Sequence, residues 1–239
     1  MATFTPHPEL SVQLTDTGTG PPLLVLHGMA GPASVAPVAE HYAARYRVVI
    51  PVHPGWEGTA RPEWFTGVNA LADLYRDLLD DLDLAGVTVV GASFGGWVAA
   101  ELAVRDRGQR ISRLVLADAV GPRIPGHRLR PPAGPPGGGP PGGGPPPASA
   151  AALRAYTGGE MSDPLLLRSL GRVRIPVHFL WGEHDSVVTP EFGRAYAAAI
   201  PDASFHLIPG GGHLPLRDHP AESFAILDRL LAGNSPETP

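Results

Sequence analysis

Acyl transfer at a carbonyl needs a nucleophile, a base that takes its proton, and an acid that holds the base in register. This sequence offers all three at punctuated positions. The sharpest signal is Gly91-Ala92-Ser93-Phe94-Gly95, inside VVGASFGGW. A G-x-S-x-G between an apolar run and a helical pattern places the serine on a tight strand-to-helix turn with its hydroxyl thrust outward. The flanking glycines let neighbouring backbone pass without a Cβ clash, and the following helix aims its partial positive end at the same point. Asp185, in LWGEHDSVV, stands just beyond an apolar run, and His213, in PGGGHLP, sits in a glycine-rich loop. The chain order Ser93, Asp185, His213 is one of the known orders of a nucleophile–acid–base triad. Asp118, in LVLADAV, follows a different apolar run and is the alternative acid.

A tetrahedral oxyanion also requires donors. The segment VLHGMAG places Met29 directly after a further apolar run, where its amide can join that of Phe94 in an oxyanion hole. Trp56 and Trp64 fall in a loop and are candidates for lining a substrate pocket, as are His27 and His53. Trp97 and Trp181, beside the serine turn and within an apolar run, suit the core. The acids of DLYRDLLDDLDL read as the solvated face of a helix, and the ten histidines show no zinc-ligand spacing. The chemistry of Ser93, Asp185 and His213 calls for no metal and no organic cofactor.

The elements that position these residues alternate. Leu23 to Leu26, Val48 to Ile50, Val87 to Val90, Leu114 to Leu116, Val177 to Trp181 and Ser204 to Ile208 read as buried strands, with an edge strand at Leu10 to Leu14. Between them lie amphipathic stretches near Val35–Arg45, Ala70–Leu82, Gly95–Arg105, Pro190–Ile200 and Ala221–Leu231. That alternation predicts an α/β fold with a mostly parallel sheet flanked by helices. Asp163 followed by Pro164 marks a helix start, and ASAAALRAY a short alanine-rich helix. One stretch breaks the pattern, from Gly121 to about Gly159, with a Pro/Gly tract at its centre. Pro131 to Pro147 contains a single residue that is neither proline nor glycine, with PPGGG twice in tandem at Pro135–Gly139 and Pro140–Gly144. Its glycines do not fall at every third position, so a collagen helix is excluded. It has too little apolar surface to offset its ordering entropy, which predicts mobility.

Length and composition set outer bounds. A chain of 239 residues suits one domain with a single core. A formal charge of −5 supplies no electrostatic footprint for nucleic acid or an anionic membrane. With no cysteine, disulfides, Cys-ligated metals and a thiol nucleophile are ruled out. No basic-then-apolar leader precedes the first strand and no run is long enough to span a bilayer, so the expectation is a cytoplasmic monomer or small homo-oligomer acting on a small molecule.

Taken together, GASFG, HGM, Asp185 and His213 resemble the α/β-hydrolase superfamily from Leu10 to Leu231. The capped group of esterases, cofactor-free haloperoxidases and hydrolases of ring-cleavage products is the most similar. The resemblance implies Ser93 as nucleophile, Asp185 as acid, His213 as base, and Met29 and Phe94 as oxyanion donors. In that group an aspartate usually stands where this chain has His53, ahead of Pro54-Gly55. A histidine there either donates toward the substrate or ties the loop down through backbone hydrogen bonds. The group also carries a helical lid between the strand ending near Ala117 and the helix after Pro164. Here residues 121–160 are read as a reduced or replaced lid, containing the tract 131–147, within a single domain spanning 1–239. A reduced lid implies a wide, wet cleft. The expected activity is hydrolysis of small to medium acyl esters through an acyl-enzyme. The alternatives are carbon–carbon bond hydrolysis of ring-cleavage products, and a non-catalytic ligand-binding protein on the same fold.

Overall fold

Val87–Ala92 is apolar or small at nearly every position, and all six residues are buried. A strand with that pattern must be covered on both faces, as happens in parallel sheets sandwiched between helices. The computed structural model, which describes residues 2–129 and 148–232, has that arrangement. In chain order the elements are β1 (Ala2–His7), β2 (Leu10–Thr17), β3 (Pro22–Leu26), α1 (Ala36–Tyr42), β4 (Arg47–Pro51), α2 (Val68–Asp81), β5 (Val87–Ala92), α3 (Phe94–Asp106) and β6 (Ile111–Ala117). There follow β7 (Gly121–Pro122), α4 (Ala148–Thr157), β8 (Ser162–Asp163), α5 (Pro164–Ser169), β9 (Val177–Gly182), α6 (Pro190–Ala197), β10 (Ala203–Ile208), α7 (Pro215–Asp218) and α8 (Pro220–Ala232).

The main sheet has the order β1-β2-β4-β3-β5-β6-β9-β10. The two pairings that involve β2 are antiparallel, and all the others are parallel. Side-chain alternation along β5 divides the core. Val87 and Val89 pack into the larger cluster, with α2, α3 and α6, while Val90 and Ala92 face the smaller one, with α1, α7 and α8. Each predicted strand and helix is found, with ends shifted by a few residues. Asp163 caps α5 as expected, its carboxylate accepting from the Leu165 amide at 2.7 Å with Pro164 in the first turn.

One expectation is corrected. Leu10–Thr17 is not the edge of the sheet, because β1 pairs outside it with Phe4 opposite Val12. Only Phe4 of β1 is buried, and Pro6 lies within the strand. A strand with one anchoring side chain and a proline is legible as an edge only after its partner is known.

The chain leaves the sheet after β6 and returns before β9. The two-residue β7 and β8 pair in parallel, and the Arg123 amide donates to Asp163 O at 3.0 Å, so the excursion is closed at its base. The Pro/Gly tract 131–147, with its expected mobility, lies outside the described residues.

Candidate active site

Ser93 follows β5 directly and initiates α3, and its backbone is held at φ 52° and ψ −115°. That region is costly for a residue with a Cβ and persists only where the surroundings enforce it. Here the enforcement is visible. The Ser93 amide donates to Ala117 O at 2.9 Å, and Ser93 O accepts from the amides of Gly96 at 3.0 Å and Val120 at 3.2 Å. Close approach explains two glycines. A Cβ on Gly95 would lie 2.1 Å from Leu26 O, and one on Gly28 would lie 2.9 Å from Ser93 Cβ. The serine turn is therefore pressed against the end of β3 and the loop that follows it.

His213 comes from the loop after β10. Its Nε2 lies 2.9 Å from Ser93 Oγ and its Nδ1 lies 2.8 Å from Asp185 Oδ2. With Nδ1–H donating to the carboxylate, Nε2 is free to accept the serine proton. Asp185 is itself fixed: its Oδ1 accepts from the amides of Val187 at 2.7 Å and Val188 at 3.1 Å. The acid and histidine loops are joined by the His184 amide donating to Gly211 O at 2.7 Å and the Glu183 amide donating to Ile208 O at 3.1 Å. Three residues separated by up to 120 positions thus meet at the carboxyl ends of β5, β9 and β10. The carboxylate on His213 Nδ1 belongs to Asp185 and not to Asp118, which is fully buried behind it.

The oxyanion candidates flank Ser93. Phe94 is the first residue of α3, where an amide has no partner inside its own helix. The Met29 amide finds no backbone partner among the described residues, and the Met29 carbonyl accepts from Trp56 Nε1 at 3.1 Å.

His27 and His53 are fully buried and do not face an open pocket. They brace the loop that carries Met29. His53 Nε2–H donates to His27 O at 2.8 Å, and the His53 amide donates to His27 Nε2 at 3.1 Å. His27 Nδ1–H donates to Gly28 O at 2.7 Å, and the Tyr75 hydroxyl donates to His53 Nδ1. Every ring nitrogen is satisfied with each imidazole neutral. Burial pushes His27 down to about 4 and His53 well below its ordinary value, the latter also opposed by the neighbouring His27. Of the two roles open to a histidine at position 53, the structure has the loop-tying one.

Trp56 is buried in a three-ring cluster with Phe94 and Tyr156, whose hydroxyl donates to Pro54 O at 2.9 Å. Trp64 departs from expectation. It is 54% exposed, its Nε1 donates to Glu9 at 3.0 Å, and its ring meets His7 edge-on, so it is anchored to the β1–β2 turn and not beside Ser93. A loop tryptophan has no periodicity to say which way it points. Tyr75 and Tyr156 were not among the candidate residues. Tyr75 is recognisable only as a tyrosine on the apolar face of α2, and nothing in the sequence pairs it with His53. Trp97 and Trp181 are buried in the core, as expected.

Among the described residues, no group of three His, Asp or Glu side chains is arranged to hold a metal ion, and no helix is long and apolar enough to cross a membrane.

A family model described as the alpha/beta hydrolase family matches residues 23–226. An uncharacterized protein of Mycobacterium tuberculosis is 28% identical, over 92% of this chain and 77% of its own length. A 2-hydroxy-6-oxononadienedioate/2-hydroxy-6-oxononatrienedioate hydrolase of Cupriavidus pinatubonensis is 26% identical, over 95% of this chain and 92% of its own. Among solved structures, an esterase of Thermogutta terrifontis superimposes with a TM-score of 0.71 at 22% identity, covering 97% of this chain and 96% of that one.

Proposed function

The chain belongs to the alpha/beta hydrolase family, and from that premise we propose that it is a serine hydrolase cleaving small to medium acyl esters through Ser93, His213 and Asp185. The observation that carries this reading is the continuous hydrogen-bonded path from Ser93 Oγ through His213 to Asp185, at 2.9 and 2.8 Å, on a strained serine turn. In the proposed reaction His213 Nε2 takes the Ser93 proton as Oγ bonds to the acyl carbon. The carbonyl electron pair moves onto oxygen, where the Met29 and Phe94 amides donate to it. The imidazolium, stabilised by Asp185, returns its proton to the leaving alkoxide. Water then repeats the sequence on the acyl-enzyme, freeing the carboxylic acid. No metal or organic cofactor takes part in this reading.

A second reading is hydrolysis of a carbon–carbon bond. It is favoured by the Cupriavidus relative, whose name gives it such substrates and which aligns over 95% of this chain. Residues 121–160 bear on the choice. We read them as a shortened lid of which α4 is a part: Tyr156 of α4 lies on Trp56 and Phe94, and Ala152 meets the loop at Gly55. A short cover suits small esters better than a long polar dienoate, which needs enclosure on all sides.

A fluorophosphonate probe followed by a panel of chromogenic esters graded by acyl length, with a dienoate included, tests both readings. Labelling of Ser93, absent in Ser93→Ala, and broad ester turnover are the expected results. Turnover confined to the dienoate would move the assignment to carbon–carbon cleavage. Folded protein that takes no label would mark a ligand-binding member of the family.

A further inference from the structure

Asp118 sits behind Asp185 in a setting that ordinary packing does not require. It follows β6 with φ at +45°, a conformation uncommon outside glycine, and its amide donates to Leu180 O at 3.0 Å. Its Oδ1 accepts from the Gly182 amide at 2.9 Å. Its Oδ2 is buried and meets no donor among the described residues. The charged neighbour that acts on Asp118 is the Asp185 carboxyl: both side chains are buried, and both residues bond to Gly182, Asp118 through its Oδ1 and Asp185 through its amide, which donates to Gly182 O at 3.2 Å. Two neighbouring buried carboxyls are costly to ionise together, which favours keeping a proton on one of them.

The surrounding donors say which of the two holds it. Asp185 receives three N–H groups, from Val187, Val188 and His213, so both of its oxygens already serve as acceptors. Asp118 receives one, from Gly182. We propose that Asp118 is a positioning residue whose protonated carboxyl donates to Asp185 and holds that carboxylate on His213. This rests on the reading of Asp185 as the acid of a hydrolytic triad. Burial first, and then the neighbouring charge of Asp185, push Asp118 well above the usual carboxylate range. The ionisable group facing it is Asp185, from the loop after β9, and behind that stands His213, from the loop after β10. When Asp118 loses its proton, two negative charges meet and Asp185 loses a donor, so hydrolysis falls on the alkaline side.

Asp118→Asn and Asp118→Ala test the proposal. An asparagine can accept from Gly182 and donate an N–H to Asp185 in nearly the same volume, whereas alanine can do neither. Asp118→Ala is expected to lower kcat by about tenfold or more with KM within about twofold, and Asp118→Asn to recover most of that loss. An alkaline fall in kcat is expected for the natural chain and is expected to be missing in Asp118→Asn. An asparagine variant as impaired as the alanine one, or alkaline limbs that superimpose, would overturn the proposal. Thermal unfolding between pH 4 and 9 gives a readout that needs no turnover. A raised carboxyl keeps a proton in the folded state that the unfolded chain gives up above about pH 4, so the contribution of Asp118 to the stability of the natural chain falls there as pH rises. Asp118→Asn is spared that loss, so its advantage in Tm must widen with pH; a gap constant across the range refutes a protonated Asp118. If the natural chain hydrolyses no ester and Ser93 takes no probe, the triad reading fails, while the unfolding series still decides the state of Asp118.

Discussion

Three histidines lie close to Ser93, and they sit in two contrasting settings. His213 is one-fifth exposed, held between a hydroxyl and a carboxylate, and able to gain and lose a proton without leaving its partners. His27 and His53 are fully buried, with ring centroids 3.9 Å apart and no carboxylate on either ring. Protonating either would bury an uncompensated charge, and on His27 it would also turn the acceptor Nε2 into a donor facing the His53 amide. In the proposed reaction the same side chain is a proton carrier in one loop, and in the other it is a neutral brace. What separates them is solvent access and the charge of the partner.

That contrast can be broken most forcefully at the proton-carrying side. Ser93→Ala is expected to abolish probe labelling and to lower kcat by about five orders of magnitude with little change in fold, read by ester kinetics and circular dichroism. Asp185→Asn keeps the shape of the acid but reverses the donor facing His213 Nδ1. A fall in kcat of about 10³ to 10⁴ is expected, and a loss under tenfold would argue that Asp185 does not hold the histidine. The bracing pair answers to stability instead. His53→Ala strands His27 O and the Tyr75 hydroxyl in the core, and chemical denaturation should show a loss of about 3 kcal/mol. Its effect on kcat should be smaller than that of Asp185→Asn, since it loosens the Met29 loop without touching the proton path.

Acid sharpens the comparison further. Because His27 and His53 have folded values below the unfolded one, their contribution is complete above about pH 6.5 and is lost as pH falls toward the folded values. For His27, which burial lowers to about 4, the loss between those limits is on the order of 3 kcal/mol. In Asp118→Asn, which lacks the opposing carboxyl, unfolding midpoints that stay level from pH 6.5 to 4.5 would contradict a neutral pair. The smallest effect is expected at Trp64→Ala. Its ring is tied to the β1–β2 turn, so ester turnover should stay within about twofold and stability within about 0.5 kcal/mol.

Much of this architecture was legible beforehand because its signals are local. The apolar runs of β3, β5 and β9 are buried for the same reason that they are apolar, and the glycines around Ser93 are needed wherever a strand turns that sharply into a helix. The proline in β1 hid an edge strand whose identity depends on its neighbour. Trp64 gave no sign of its direction, because loop residues obey no period.

From the sequence alone came the residue types and their order: a serine between glycines, an acid beyond one strand and a histidine beyond the last. Chain chemistry and strand periodicity suffice for that, since both act over a few residues. Only the tertiary structure decided which carboxylate reaches His213, that Asp118 is buried beside Gly182 with one oxygen unpartnered, and that His53 braces a loop and does not face substrate. Those outcomes depend on burial and on hydrogen-bond partners 22 to 120 positions away, and no local pattern records them.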